Sequence, residues 1–300
     1  MGELMTIKNI GFIGLGAMGS VMAPLIVKSG YNVHGFDIKA NIDKLSGIKQ
    51  VQDIKELSSL DVIIFMLPNG KIVSDMAIKL LEMNLKSIFI DMSSSDPKET
   101  QELGKILKYK GVKFLDAPVS GGVVRAKTGN LMIMAGGDEK LLEEVNDLLS
   151  VMGKVQFAGP LGSGHAIKAL NNYVSAAGLI ASFEALATAR SFGIEPKNFL
   201  KIINGATGKN NTTEVKLDKF VISENFNSGF SLDLMIKDVS IAEKLIKKLI
   251  YNNSLSEHVS NYLIESQEKL LKKADHTEIY KIFKKTLWLD LIWFINFFHE

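Results

Sequence analysis

The feature that most constrains the fold is a short glycine pattern between a predicted strand and a predicted helix. Residues 8–13 end in the apolar run Ile-Gly-Phe-Ile, which is typical of a buried strand, and residues 20–29 have a helical pattern. Between them stands Gly14-Leu15-Gly16-Ala17-Met18-Gly19, a G-x-G-x-x-G sequence. In a strand–turn–helix unit such glycines permit a tight turn, a close approach to a pyrophosphate, and packing of helix on strand. The pattern predicts a dinucleotide-binding domain in which these six residues contact the cofactor.

An acidic residue follows the next predicted strand, residues 32–36, and indicates which dinucleotide is bound. Asp37 closes that strand. An acid about 20 residues beyond the glycines can accept hydrogen bonds from the adenosine ribose hydroxyls. Its charge would repel the 2′-phosphate of NADP, and no arginine follows to neutralise that phosphate, although Lys39 is near. NAD is therefore favoured over NADP.

Three further apolar segments are predicted strands, and each is followed by small, polar or proline residues: 61–67, 87–91 and 112–116. The carboxyl ends of parallel strands form the ligand-binding edge of such a sheet. Ser93–Ser95 follow one strand end, and helix capping before Asp96-Pro97 is an alternative role for them. Ser120-Gly121-Gly122 follow another, and their backbone N–H groups could bind an anion such as a carboxylate; an ordinary turn is the alternative.

Strand patterns continue to Ala158, and only helical patterns follow. A helix from His165 to Arg190 would be roughly 40 Å long, and further helices are predicted at 196–204, 212–222, 232–252, 254–273 and 276–285. We therefore predict an α/β fold: an N-terminal doubly wound Rossmann domain, joined by the long helix to an all-α C-terminal domain. The predicted bounds are residues 1–164 for NAD binding and 165–300 for substrate binding and dimerisation.

Two polar residues stand on the long predicted helix, immediately after the proposed cofactor domain. Lys168 and Asn172 are four residues apart, so they share one face of the helix. Lys168 stands among apolar residues, and an amine on an apolar helix can become a usable acid–base group because desolvation lowers its proton affinity. An acid–base role is the functional interpretation, and a pair of solvated surface residues is the alternative.

Four motifs now stand in order along the chain: residues 11–19, Asp116-Ala-Pro-Val-Ser-Gly-Gly122, Gly162-Ser-Gly-His-Ala-Ile-Lys-Ala-Leu-Asn-Asn172 and Lys237-Asp238. Their order and spacing resemble those of the β-hydroxyacid dehydrogenases, a family that includes 3-hydroxyisobutyrate dehydrogenase and 2-hydroxy-3-oxopropionate reductase. The likeness extends over about residues 8–285.

The resemblance implies a role for each matching residue. Lys168 would be the general acid and base, Asn172 would help to place the substrate, and Ser120, Gly121 and Gly122 would hold its carboxylate. The residues matching Leu67, Pro68, Ser94 and Lys237 would line the cofactor site. Arg125 is a further candidate for the carboxylate, because the guanidinium fork matches its geometry; a surface ion pair is the alternative.

The resulting hypothesis is an oxidoreductase that moves a hydride between NAD(H) and a small 3-hydroxy acid or its semialdehyde. An imine-reductase-like enzyme is one alternative, although such enzymes commonly lack the lysine. A non-catalytic NAD-binding module is another, although it would not need Lys168, Asn172 and the Ser-Gly-Gly turn together. Asn210, Asn211 and Thr212 differ from what relatives often carry, so the resemblance does not identify the hydroxy acid.

Composition limits the partners. The net charge of +2 does not favour nucleic acid or anionic lipid. The absence of cysteine excludes disulfides and thiolate chemistry, no metal site is predicted, and a cytoplasmic location is expected. The apolar tail at residues 287–298 is too short to span a bilayer. We expect it in a subunit interface of a homodimer or homotetramer, with membrane attachment as the alternative.

Overall fold

A computed structural model describes residues 7–40, 45–83, 87–249 and 255–283 of the chain. The aromatic tail at 287–298 lies outside the described residues, so its predicted role in a subunit interface stays a prediction. The chain divides into two compact units, Met1–Lys168 and Ala169–Glu300. The division falls within one long helix, α6 (Ser163–Ser191).

The first unit is built on a sheet whose strands are β1 (Asn9–Ile13), β2 (Asn32–Phe36), β3 (Ile48–Gln50), β4 (Val62–Phe65), β5 (Ile88–Asp91), β6 (Phe114–Asp116), β7 (Val119–Ser120), β8 (Leu131–Gly136) and β9 (Gly153–Gly159). Their order is β3-β2-β1-β4-β5-β6-β8-β7, and β9 pairs with β8. The first six strands are parallel, whereas β8 runs antiparallel to β6 and β7. The order reverses between β1 and β4, which is where a doubly wound sheet binds its ligand.

Both faces of this sheet are covered, because neighbouring strand residues point to opposite sides. In β4, Ile64 packs in one buried cluster with Phe12 and Ile90, whereas Ile63 and Phe65 pack in a second cluster. Helices cover the two faces: α1 (Gly19–Lys28), α2 (Gly70–Leu81), α3 (Pro97–Tyr109), the short α4 (Gly122–Ala126) and α5 (Glu139–Ser150). The predicted α/β fold class is confirmed.

The second unit is helical. After the C-terminal part of α6 it contains α7 (Pro196–Gly205), a π-helix (Thr212–Ile222), α8 (Leu232–Leu249), α9 (Leu255–Lys269) and a 3₁₀ turn (His276–Ile279). Its core is one apolar cluster in which the rings of Phe183 and Tyr280 meet edge to face, 5.6 Å apart. Among the described residues of this unit, β-type pairing is limited to a single bridge between Ser231 and Asp275.

Three details differ from the sequence predictions. The segment 212–222 is a π-helix, which is rare and is often found at functional sites. The helix predicted to reach residue 273 ends at Lys269, and the helix predicted from residue 276 begins as a 3₁₀ turn. In the described part of the chain, none of the helices is both long and apolar enough to cross a membrane.

Candidate active site

The glycine turn after β1 fits a bound dinucleotide. A Cβ on Gly14 would meet the carbonyl oxygen of Met66, so the ends of β1 and β4 can approach this closely only with glycine. A Cβ on Gly16, in contrast, would have no atom within 4 Å, so this side of the turn is open to a ligand. Helix α1 begins at Gly19 without a side-chain cap from Met18 and without an acidic residue in its first turn. Its positive end is therefore suited to phosphate groups.

Asp37 is held at the end of β2 beside this turn. Its Oδ2 accepts a hydrogen bond from the Leu15 N–H at 2.7 Å, and its Oδ1 accepts from the N–H groups of Lys39 and Ala40 at 2.7 and 2.8 Å. Burial alone would raise the pKa of Asp37, but these hydrogen bonds and the Lys39 charge outweigh it and lower the pKa below its ordinary value. Asp37 is therefore ionised at neutral pH. The Asp37 carboxylate can accept about four hydrogen bonds, and these three leave one position for a ribose hydroxyl.

A buried carboxylate organises the loops after β4 and β5. Asp91 Oδ1 accepts from the Ser93 N–H at 2.9 Å, and its Oδ2 accepts from Ser95 Oγ at 2.7 Å. Ser93 Oγ in turn accepts from the Leu67 N–H at 2.9 Å. The loop that begins with Leu67 and Pro68 is thus tied to the serine loop at the carboxyl edge of the sheet.

Helix capping is not the task of the three serines. Asp96 caps α3 by accepting from the Lys98 N–H at 2.9 Å, and Pro97 begins the helix. Ser94 lies between the two buried serines, partly exposed, in the loop at the carboxyl edge. A contact of Ser94 with the cofactor stays a prediction.

The residues predicted to bind a carboxylate lie together. Ser120 ends β7, where it pairs with Met132, and Gly121 and Gly122 follow with positive φ angles of 133° and 64°. A Cβ on Gly121 would lie 2.8 Å from Cδ of Arg125, so the arginine stem folds over this glycine. The aliphatic stem of the exposed Arg125 therefore lies beside the backbone of this turn.

A second buried carboxylate fixes the start of α6. Asp116 accepts from the N–H groups of Gly162 at 2.7 Å and His165 at 2.8 Å. Burial raises the pKa of Asp116, although the His165 ring and the two N–H bonds act against it. Thr100 Oγ1 lies 2.8 Å from Nδ1 of the same histidine. A Cβ on Gly164 would meet the Met134 carbonyl oxygen, so strand and helix are closely packed here.

In the second unit a hydrogen bond holds Asn172. Its Nδ2 donates to Asp238 Oδ2 at 2.5 Å, and its Oδ1 accepts from Asn171 Nδ2 at 3.1 Å. Lys237 Nζ lies 3.6 Å from the other oxygen of Asp238. Asn172 and Asp238 are both buried, at 7% and 3% exposure, so the orientation of the amide is fixed. Lys168 precedes Asn172 by one turn of the same helix and is partly exposed.

Three residues that position others have no local signal in the sequence. Asp116, His165 and Asp238 all stand within the four motifs, but the burial of a polar side chain does not show in the residues around it. The hydrogen-bond partners of Asp238 and Asp116 lie 66 and 46 residues away along the chain. Among the described residues there is no group of three or more His, Asp or Glu side chains that could hold a metal ion.

A Rossmann sheet with this glycine turn, followed by a helical unit, defines a dinucleotide-binding protein. Residues 9–162 match the family model of the NAD-binding domain of 6-phosphogluconate dehydrogenase. Residues 162–283 match that of the NAD-binding domain of NADP-dependent 3-hydroxyisobutyrate dehydrogenase. The chain belongs to the β-hydroxyacid dehydrogenase family, as its motifs predict.

Individual relatives agree with this assignment. The chain is 36% identical to 2-(hydroxymethyl)glutarate dehydrogenase of Eubacterium barkeri, over 78% of its own length and 81% of the relative. It is 34% identical to mitochondrial 3-hydroxyisobutyrate dehydrogenase of Drosophila melanogaster, over 93% and 90%. The structure of Mycobacterium tuberculosis 3-hydroxyisobutyrate dehydrogenase with L-serine has a TM-score of 0.85 and 29% identity, over 92% of this chain and 99% of that one. Imine reductases share the fold alone, at 17% and 18% identity.

Proposed function

We propose that this chain transfers a hydride between NAD(H) and a small 3-hydroxy acid or its semialdehyde. The observation that carries the proposal is the buried Asn172, held by Asp238 one helical turn after Lys168. The two relatives named above support the substrate class. 3-Hydroxyisobutyrate and 2-(hydroxymethyl)glutarate both have a hydroxymethyl group on the carbon that carries a carboxylate.

The substrate carboxylate is assigned to the turn after β7. The N–H groups of Gly121 and Gly122 and the Ser120 hydroxyl can donate to it, and Arg125 folds over the same turn. A guanidinium binds a carboxylate through two parallel hydrogen bonds. A substrate held by these groups presents its carboxylate in one fixed orientation.

Bound NAD⁺ supplies the hydride acceptor in oxidation, and NADH supplies the hydride in reduction. In oxidation the neutral Lys168 amine takes the proton of the substrate hydroxyl at Nζ. In reduction its ammonium form donates a hydrogen bond and then the proton to the carbonyl oxygen. Asn172 positions the reacting oxygen, because its second amide hydrogen is available beside the bond to Asp238.

The cofactor is assigned to the carboxyl edge of the first unit. Residues 14–19 would hold the pyrophosphate, Asp37 the adenosine ribose, and Leu67, Pro68 and Ser94 the remainder. The resemblance to the family adds Lys237 of the second unit as a further cofactor contact. We propose NAD rather than NADP, because Asp37 is ionised and would repel a 2′-phosphate. We further propose a homodimer or homotetramer, with the tail at 287–298 in an interface, and a cytoplasmic location, which the lack of cysteine fits.

The proposal is tested by a screen of short hydroxy acids with NAD⁺ and NADP⁺, followed at the nicotinamide absorbance. Turnover of 3-hydroxy acids with the higher kcat/KM for NAD⁺ is expected. 2-Hydroxy acids of the same length serve as controls, since their hydroxyl is differently placed relative to the carboxylate. Binding of NAD⁺ without turnover of any hydroxy acid would identify a non-catalytic module instead.

A further inference from the structure

Lys216 is a charged residue to which the proposed mechanism gives no role. It lies on the π-helix and is half-buried, and its Nζ is 3.4 Å from Ser175 Oγ on α6. Ser175 follows Asn172 by three residues and Lys168 by seven, so all three positions share one face of a continuous helix. Seven residues correspond to roughly 10 Å along the axis. The Lys216 ammonium thus lies one turn beyond Asn172, along the helix face that carries the proposed acid–base group.

The position of Lys216 is fixed from both sides. Asn210 Oδ1 accepts from the Thr212 N–H at 2.8 Å, which holds the first turn of the π-helix, and Asn210 Nδ2 donates to Ser182 Oγ at 3.0 Å. Ser182 follows Ser175 by seven residues and lies on the same face of α6. Leu217, the residue after Lys216, is fully buried in the core of this unit. The π-helix is therefore docked along the face of α6 that carries Asn172.

In the described part of the chain, Lys216 does not form a close ion pair. Among the described residues, no carboxylate oxygen lies within 4 Å of Lys216 Nζ. Asp275 attracts the charge from farther away, but its carboxylate already accepts hydrogen bonds from Ser228 Oγ at 2.8 Å and from Thr277 Oγ1 at 2.6 Å. Burial lowers the pKa of Lys216 to about 8, and the attraction of Asp275 offsets this only in part. A cation taken from water without a close partner is costly, so an anion that binds there is favoured.

The other lysines near it differ in this respect. Lys209 is paired with Glu214 at 2.8 Å, and both side chains are about half exposed. Lys219, three residues after Lys216 on the same π-helix, is exposed, and its Nζ lies over the Phe220 ring. Both are ordinary solvated charges. Lys216 is the cation of this segment that is directed toward α6.

We propose that Lys216 binds a second carboxylate of the substrate, so that the enzyme prefers a dicarboxylic 3-hydroxy acid over a monocarboxylic one. This inference rests on the proposed function, because the first carboxylate is assigned to Ser120–Gly122 and the reacting hydroxyl to Lys168. The two relatives differ in this respect: 2-(hydroxymethyl)glutarate has a second carboxylate, and 3-hydroxyisobutyrate has a methyl group in place of that arm.

These two compounds are a matched pair for the test, since their reacting groups are identical. The measured quantity is the ratio of kcat/KM for the dicarboxylate to that for the monocarboxylate. Lys216→Met should lower this ratio about 10- to 100-fold, the usual effect of losing a hydrogen bond to a charged group. Lys219→Met, which removes the same charge from the same helix, should leave the ratio and the activity unchanged. Lys216→Arg should retain part of the preference.

Two further measurements separate a binding role from a structural one. Because no carboxylate of the described residues lies within 4 Å of its ammonium, Lys216→Met should keep or raise the melting temperature, whereas loss of a structural lysine would lower it. In the unmodified enzyme the ratio should fall as the pH rises through about 8, when Lys216 loses its charge. Asp275 stays ionised and His276, with its pKa lowered to about 4, stays neutral in that range. Ionisations that act on the reacting hydroxyl are common to both substrates and cancel in the ratio.

The outcomes are distinct. Turnover of both compounds with a ratio near one, or with a ratio that Lys216→Met and pH leave unchanged, overturns the inference and leaves the proposed function standing. If the unmodified enzyme turns over neither compound, the proposed function is contradicted and the inference falls with it.

Discussion

The two units use different chemical groups to prepare a site. In the first unit the ligand-binding edge is mostly backbone: a glycine turn, the N-terminus of α1 and the Gly121-Gly122 turn, with Asp37 held by backbone N–H groups. In the second unit the polar groups are side chains paired across the fold, Asn172 with Asp238 and Lys216 with Ser175. A cofactor shared by many enzymes can be bound through backbone geometry alone. Side chains can distinguish one substrate from another, and they can change without disturbing these backbone turns.

The sharpest test of this comparison is Lys168→Ala. It should lower kcat by about 10²–10⁴-fold, the usual contribution of general acid–base catalysis. The Kd of NAD⁺, measured by fluorescence titration, should change little, because the proposed cofactor contacts lie mainly at the carboxyl edge of the sheet. Lys168→Arg should fail as well, because a guanidinium does not give up its proton. Near-normal turnover of the alanine variant would make Lys168 an ordinary helix residue, with Lys237 the next candidate.

We expect the second unit to lose stability in acid because of His276. Burial lowers the pKa of His276 from 6.5 to about 4, so the unfolded chain binds its proton first and the free energy of unfolding falls between pH 6.5 and pH 4. Since one pKa unit is worth about 1.4 kcal/mol, the loss is at most about 3 kcal/mol. The pKa of Asp275 is lowered in the folded protein, so below pH 3.8 the unfolded chain binds this proton first as well. The free energy of unfolding then falls further.

Urea unfolding at pH 7, 5 and 4 measures this loss. His276→Asn keeps a donor for the Phe230 carbonyl oxygen, which lies 2.9 Å from Nδ1, but it cannot titrate in this range. Its free energy of unfolding should therefore vary less between pH 7 and pH 4. Equal slopes for the two proteins would show that another group controls the acid transition.

A smaller effect is expected at Asp238. Asp238→Ala leaves the buried Asn172 amide without its acceptor, and kcat should fall about 10- to 100-fold. The KM for NAD⁺ should stay within about threefold, as befits a positioning residue that acts through Asn172. Asp238→Asn supplies a carbonyl oxygen in the same place and should restore part of the loss. Identical kcat values for the alanine and asparagine variants would show that the hydrogen bond from Asn172 to residue 238 does not affect catalysis.

The smallest expected change concerns the first unit. Asp37→Ala should shift the ratio of kcat/KM for NAD⁺ to that for NADP⁺ by about tenfold toward NADP⁺, because it removes the repulsion of the 2′-phosphate. Asp37→Asn retains an acceptor for the ribose hydroxyl and tests the charge alone. Preference for one hydroxy acid over another should not change with either variant. An unmodified enzyme that prefers NADP⁺ would contradict the assignment.

The sequence predicts features that depend on local spacing better than features that depend on contacts between distant residues. The glycine turn and Asp37 were predictable because their function depends on local spacing between a strand and a helix. The three-residue edge strand β3 has no apolar alternation, and it was not predicted. Lys216 stands between Val215 and Leu217 like any lysine on a helix. Its burial depends on Ser175, 41 residues earlier in the chain, and no local pattern records that contact.

The packing around Asp116 limits how this enzyme can be redesigned. A side chain at Gly164 would meet the Met134 carbonyl oxygen, and one at Gly136 would lie 2.5 Å from Asp116 Oδ1. A library that randomises residues 162–172 to alter substrate choice should therefore lose most variants at Gly164, although that residue has no proposed contact with substrate. The π-helix and the residue before it are better positions to vary, since Glu214 and Asn211 are exposed to solvent. The start of α6 sets the reference position from which Lys168 is placed, and a library should leave it unchanged.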